Sequence, residues 1–205
     1  MGTLLQASNL HFSYPERQLF TRFSAHIAPG ITLVRGGDGR GKSTLLRPLA
    51  GALPVQSGQL HINSIDLQAQ PAHYKAQIFW AEPTSDAFDQ WAVPDYFQWQ
   101  RSRYAAFDDK LLAEMTDGLG LQTHSHKQLF MLSTGTKRKV FLAAAFAASA
   151  QVTLLDEPFA ALDAASVGFV LGRLKDGAND NRAWVIADYL APEGLNLTQV
   201  IDLGD

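Results

Sequence analysis

The feature that most restricts this chain is the run Gly36-Gly37-Asp38-Gly39-Arg40-Gly41-Lys42-Ser43. It sits between the apolar segment Ile31-Thr32-Leu33-Val34 and a helical stretch beginning at Ser43. The pattern Gly-x-x-x-x-Gly-Lys-Ser between a strand and a helix is that of a phosphate-binding loop. Its glycines let backbone N–H groups turn inward around phosphate oxygens, and the helix that follows adds its positive dipole end. Lys42 can reach the β- and γ-phosphates, and Ser43 can place a hydroxyl on Mg²⁺. The expected nucleotide contacts run from Gly36 to Thr44, including Asp38 and Arg40. A strand that feeds such a loop belongs to a layered α/β fold.

A second site follows from Val152-Thr153-Leu154-Leu155-Asp156-Glu157, an apolar strand ending in two carboxylates. Asp156 there can meet the Mg²⁺ held by Ser43, and Glu157 can act as general base on an attacking water.

The rest of the chain supplies the layers. Residues 3–14 and 17–27 read as strands, and Gln59–Ile65, Gln77–Ala81, Ala183–Ala187 and Gln199–Leu203 as further ones. Pro48 is expected to kink or shorten the helix after the loop. Aromatic and helical signals from about 84 to 131, with a buried helix over Val140–Ala150, mark a helical insert spanning about 84–150. Ala164–Lys175 reads as another helix. The sequence therefore predicts one domain over 1–205 of P-loop NTPase type: a mostly parallel sheet, an N-terminal antiparallel β part and a small helical insert.

Composition narrows the function classes. Seventeen Lys and Arg against 20 Asp and Glu give a net charge of -3, which argues against nucleic acid as partner. The absence of Cys removes disulfides and thiol chemistry and suits a reducing compartment. The longest strongly apolar stretch, Val140–Ala150, is too short to span a bilayer, and the N-terminus lacks the basic flank of a secretory signal. The six His residues do not form a metal-site pattern. A cytoplasmic location is expected.

The two motifs, with Leu132-Ser133-Thr134-Gly135-Thr136 preceding the acidic pair, resemble the ATP-binding cassette (ABC) ATPase family. The likeness covers nearly the whole chain. It implies that Tyr14 stacks on adenine and that Ala160-Ala161-Leu162-Asp163 forms the D-loop touching an opposite subunit. In that family two cassettes bind head to tail. Ser133, Thr134, Gly135 and Thr136 would then face the partner's ATP, with Gly135 approaching the phosphate most closely. Asp163 also reads as a plain helix cap, and the basic triplet Lys137-Arg138-Lys139 as a solvated helix face.

Three departures from the family pattern stand out. Thr134 and Thr136 replace the usual Gly and Gln of the signature. Glu82 stands where the family has a glutamine that contacts metal and water. Tyr189 stands where it has a switch histidine, and a neutral phenol cannot serve as a proton switch near neutral pH, so slow hydrolysis is expected. The resemblance implies a Mg-dependent ATPase subunit that powers a permease encoded on a separate chain and lies peripherally on the cytoplasmic face. Trp91, Tyr96, Phe97 and Trp99 are candidates for the permease groove. The alternatives are a soluble cassette ATPase outside transport and a weakly hydrolysing regulatory cassette in a heterodimer.

Overall fold

The computed structural model describes residues 2–15, 17–82, 85–177 and 181–204. Thr84, the expected first residue of the helical insert, lies outside them, as do Met1 and Asp205.

Strands β1 (Leu5–Tyr14) and β2 (Arg17–Ile27) form an antiparallel hairpin whose register runs from Leu5↔Ile27 to Tyr14↔Arg17. β3 (Gly30–Arg35) leads through the glycine loop into α1 (Lys42–Leu49). Pro48 lies in the last turn of α1, and the chain leaves the helix at Gly51, which adopts φ +66. The helix is therefore shortened rather than continued to Leu53. β4 (Ser57–Ile62) and β5 (Ile65–Asp66) follow. The single strand expected over Gln59–Ile65 is thus a tight hairpin, because Asn63 takes a left-handed φ of 53 and reverses the chain.

α2 (Pro71–Gln77), which the sequence reading did not anticipate, precedes β6 (Ile78–Trp80). The helical region holds α3 (Val93–Arg103), α4 (Asp109–Gly118) and α5 (Thr134–Ala147). α5 begins before and ends earlier than the expected Val140–Ala150. The chain closes with β7 (Val152–Asp156), α6 (Ala164–Gly177), β8 (Ala183–Asp188) and β9 (Gln199–Asp202).

Two sheets result. One is antiparallel, in the order β2-β1-β4-β5, and the other is parallel, in the order β6-β7-β8-β3-β9. Strands β3, β7 and β8 are buried on both faces and mostly apolar, whereas the edge strand β9 alternates half-buried and exposed residues. Ile31, Leu33, Leu155, Trp184 and Ile186 face a core shared with α3, α4, α5 and α6. Val34, Leu154, Val185 and Ala187 face a second core shared with α1 and the antiparallel sheet. This is the expected fold class. Its consequence for function is that β8 lies between β3 and β7. The glycine loop at the end of β3 and the acidic pair at the end of β7 therefore open on the same edge of the sheet, where ligands of open α/β sheets bind.

Candidate functional site

The loop closes on itself through Lys42. This side chain is only 7% exposed, and its ammonium donates to the Gly36 carbonyl at 2.7 Å and to Gly37 at 3.3 Å. A buried ammonium has to find such partners. Gly39 and Gly41 adopt φ +72 and +96, conformations that a side chain strains. The loop is braced from outside by β9 and the residues after it: Gly37 N–H donates to Gly204 O at 3.0 Å, and Arg35 pairs with Asp202 at 2.6 Å.

Tyr14, Asp38, Gly39, Gly41, Lys42, Ser43, Thr44 and Glu157 line one cleft together with Arg17 and Leu19. The Tyr14 hydroxyl is 3.4 Å from Thr44 Oγ1. Arg40 is exposed on the loop and does not line the cleft. Arg17 is a cation the sequence reading missed. It enters through the hairpin register, which sets it opposite Tyr14, and single-sequence spacing does not reveal that register.

Of the acidic pair, Glu157 lines this cleft and Asp156 lies behind it, joined to it through Ser43. Asp156 takes a hydrogen bond from Ser43, and burial pushes its pKa up. Glu157 pushes in the same direction, while Ser43, Lys42 and Arg138 oppose it. Its Oδ1 is buried without any partner. Glu157 is exposed, with φ 45, and its N–H donates to Ala187 O at 2.8 Å. The left-handed bend at the strand end turns its side chain into the cleft. Among the described residues no group of three or more His, Asp or Glu is gathered as a metal nest. One hydroxyl and one carboxylate with a free buried oxygen are what Mg²⁺ needs from protein when phosphates supply further ligands. The residues present therefore fit that ion.

Glu82 and Tyr189 stand apart from the cleft. Glu82 forms an ion pair with Arg47 on α1 and lines a different groove, with Trp80, Phe88, Tyr96, Trp99, Arg103 and Phe141. Tyr189 is 59% exposed, with its backbone N–H bound by Asp188 at 2.7 Å. The aromatic candidates divide: Tyr96 and Phe97 are buried, whereas Trp91 and Trp99 are partly exposed around Phe88.

The signature residues open α5 away from this cleft. Ser133 caps the helix, accepting from Thr136 N–H at 3.2 Å and sharing a hydrogen bond with the Thr136 hydroxyl at 2.9 Å. Thr134 lines another cleft, with Asp89, Leu129, Phe130, Leu132, Lys137 and Arg138. A Cβ on Gly135 would lie 2.2 Å from the Ala161 carbonyl oxygen, so the chain's own packing already demands glycine there. Asp163 caps α6, accepting from Ser166 N–H and Oγ at 2.9 Å, and pairs with Lys139 at 2.6 Å. Hydrogen bonds from Lys139 and Ser166 hold its pKa well below the ordinary range.

The reading of the basic triplet as a solvated face is wrong. Lys137 donates to Ser85 O at 2.9 Å and pairs with Asp89, Arg138 donates to Ala160 O, and Lys139 takes Asp163. Each reaches a loop that local spacing does not place beside α5.

Residues 20–160 match the sequence profile of the ABC transporter family. A cytochrome c biogenesis ATP-binding export protein CcmA of Hahella chejuensis is 26% identical over 188 residues, covering 91% of this chain and 89% of that relative. A manganese transport system ATP-binding protein MntA of Synechocystis sp. is 33% identical over 149 residues, covering 67% of this chain and 56% of that relative. The solved structure of an ATP-binding subunit of an ABC transporter superposes with a TM-score of 0.82 at 19% identity, covering 92% of this chain and 80% of that one. That likeness shows the fold.

Proposed function

This chain belongs to the ABC transporter family and is an ATPase of that family; from that premise we propose that it binds and hydrolyses ATP as the motor subunit of a membrane transporter. It pairs head to tail with a second cassette, and a permease on a separate chain carries the substrate path. The observation that carries this reading is the meeting of Ser43, Asp156 and Glu157 at the glycine loop, with one Asp156 oxygen left without a protein partner.

In this reading the triphosphate draws Lys42 off the Gly36 and Gly37 carbonyls. The loop amides and the α1 dipole take the phosphate oxygens, and Tyr14 stacks against the adenine. Ser43 and Asp156 would hold Mg²⁺, which when bound would supply positive charge against the phosphate oxygens. Glu157 accepts the proton of the attacking water. Tyr189 stands apart from the cleft and brings no imidazole to the γ-phosphate, which slows turnover. Glu82, in a separate groove, would reach that ion only by giving up Arg47.

Within one chain Ser133, Thr134, Gly135 and Thr136 lie outside the ATP cleft. A second cassette bringing the same residues over that cleft completes it, with Asp163 at the junction. Closure on ATP and reopening after hydrolysis then drive the permease. Among the described residues no helix is long and apolar enough to cross a membrane, so the proposed location is peripheral, on the cytoplasmic face, through the permease. Nucleic acid is not a proposed partner. In this reading the permease chooses the cargo; similar ATP-binding proteins are named for cytochrome c biogenesis export and for manganese transport. The Glu82–Arg47 pair and the remote Tyr189 favour one variant, a weakly hydrolysing cassette paired with a more active one.

The test is affinity capture from detergent-solubilised membranes of the source cell, with tagged Glu157→Gln protein and Mg-ATP. Recovery of a polytopic membrane protein is expected. Recovery of soluble partners or ribosomes alone would overturn the transporter reading.

A further inference from the structure

The seven residues from Glu157 to Asp163 form a loop with two left-handed non-glycine residues, Glu157 at φ 45 and Ala161 at φ 60. Each such residue carries a conformational cost that the surroundings have to hold in place. The loop's own hydrogen bonds are two turns, Ala160 N–H to Glu157 O and Leu162 N–H to Phe159 O, both 3.2 Å long. At its two ends the loop is held by β8, through Glu157 N–H to Ala187 O at 2.8 Å, and by α6, through Ser166 to Asp163; between them the bracing comes from α5. Gly135 gives room to the Ala161 carbonyl, Arg138 donates to the Ala160 carbonyl, and Lys139 pairs with Asp163. Arg138 also lines a small cavity beneath the start of the loop, beside Leu155, Asp156 and Pro158. It is the one side chain of this set that touches both the middle of the loop and the pocket under Asp156.

We propose that Arg138 is a positioning residue for hydrolysis: it clamps the Ala160 carbonyl so that the left-handed bend at Glu157 holds that carboxylate over the ATP cleft. The assignment rests on the reading of Glu157 as general base. It gives α5 a task inside its own chain, separate from whatever its first turn presents to a second cassette. Arg138 does not line the cleft of Lys42 and Ser43, so its removal leaves the contacts of those two residues in place, while its charge reaches only Asp156 of the site. A carboxylate displaced by about 1 Å costs up to about 100-fold in rate.

The experiment compares the full chain with Arg138→Gln, Arg138→Lys and Glu157→Gln. It measures Mg-ATP turnover, binding of a fluorescent ATP analogue, thermal midpoint and amide exchange of residues 157–163 without nucleotide. Arg138→Gln is expected to lower kcat about 10- to 100-fold with KM and analogue affinity changed less than about 2-fold, and to speed exchange in the loop. Arg138→Lys retains one donor and the charge and is expected to recover most of the rate. This recovery also separates positioning from loss of fold.

A parallel rise in KM, or weaker analogue binding, would show that Arg138 acts on the nucleotide and would overturn the proposal. So would unchanged kcat in Arg138→Gln beside a wild type that turns over. A wild type without turnover sinks the hydrolytic reading itself, and the exchange of the loop then decides: rates equal to those of wild type overturn the clamp.

Discussion

Substituting Gly135 by Ala tests whether this glycine is set by the chain's own packing. An added Cβ would lie 2.2 Å from the Ala161 carbonyl oxygen, where ordinary contact begins at 3.4 Å, so one backbone or the other has to give by 3.4 − 2.2 = 1.2 Å. The obstacle is main chain rather than a flexible side-chain end, and overpacking of that kind costs about 1–3 kcal/mol. Against it stands the helix preference for Ala over Gly, at most about 1 kcal/mol and less at the second residue of α5. The net expectation is a loss of about 1–2 kcal/mol, or roughly 2–8 °C in Tm for a chain of this size. Gly172, inside α6 with nothing within 4 Å of its added Cβ, is the matched control. Gly172→Ala should gain about 0.4–1 kcal/mol. Chemical and thermal denaturation of the three proteins without nucleotide give the answer. A Gly135→Ala protein as stable as wild type, beside a stabilised Gly172→Ala, refutes the packing argument and returns this glycine to the phosphate role the family resemblance implies.

Other expectations follow from single contacts. Ser133→Ala removes the cap of α5 and should cost about 1 kcal/mol, read as a lower denaturation midpoint with nucleotide absent. Asp163, whose pKa is depressed in the folded state by Lys139 and Ser166, contributes stability that is complete above the ordinary carboxylate pKa near about 4 and is lost as the pH falls below it. The Tm gap between wild type and Asp163→Asn should therefore be present at pH 7 and shrink towards pH 3. A gap that widens on acidification contradicts the assignment. Tyr189→His should raise Mg-ATP turnover in a dimer-competent preparation, and lower turnover would remove the idea that the phenol slows an otherwise intact site.

The legible parts of this chain were those whose signal is local. The glycine loop declares its strand and helix within a few residues, and the buried strands β3, β7 and β8 show themselves as apolar runs bounded by turns. Asp156 and Glu157 could be assigned to the loop because a parallel sheet of this type leaves few places for a strand ending in two carboxylates. What the sequence withheld depends on contacts between distant segments. The hairpin at Asn63 turns on a left-handed Asn that alternation alone passes over, although Asn-Ser between two short apolar runs carried a turn signal. Arg17 joins the cleft through strand register. Lys137, Arg138 and Lys139 look solvated until the loops at 85–89 and 157–163 are laid beside α5. Gly135 illustrates the same limit, because the reason for its missing side chain is a carbonyl 26 residues further along the chain.

The most direct measurement is Mg-dependent ATP turnover by the purified chain beside Glu157→Gln and Lys42→Ala, with nucleotide binding followed in the same samples. Turnover is expected in wild type alone, with binding kept in Glu157→Gln and weakened in Lys42→Ala. Equal turnover in wild type and Glu157→Gln would contradict the account, since the carboxylate at the end of β7 would then have no part in the chemistry.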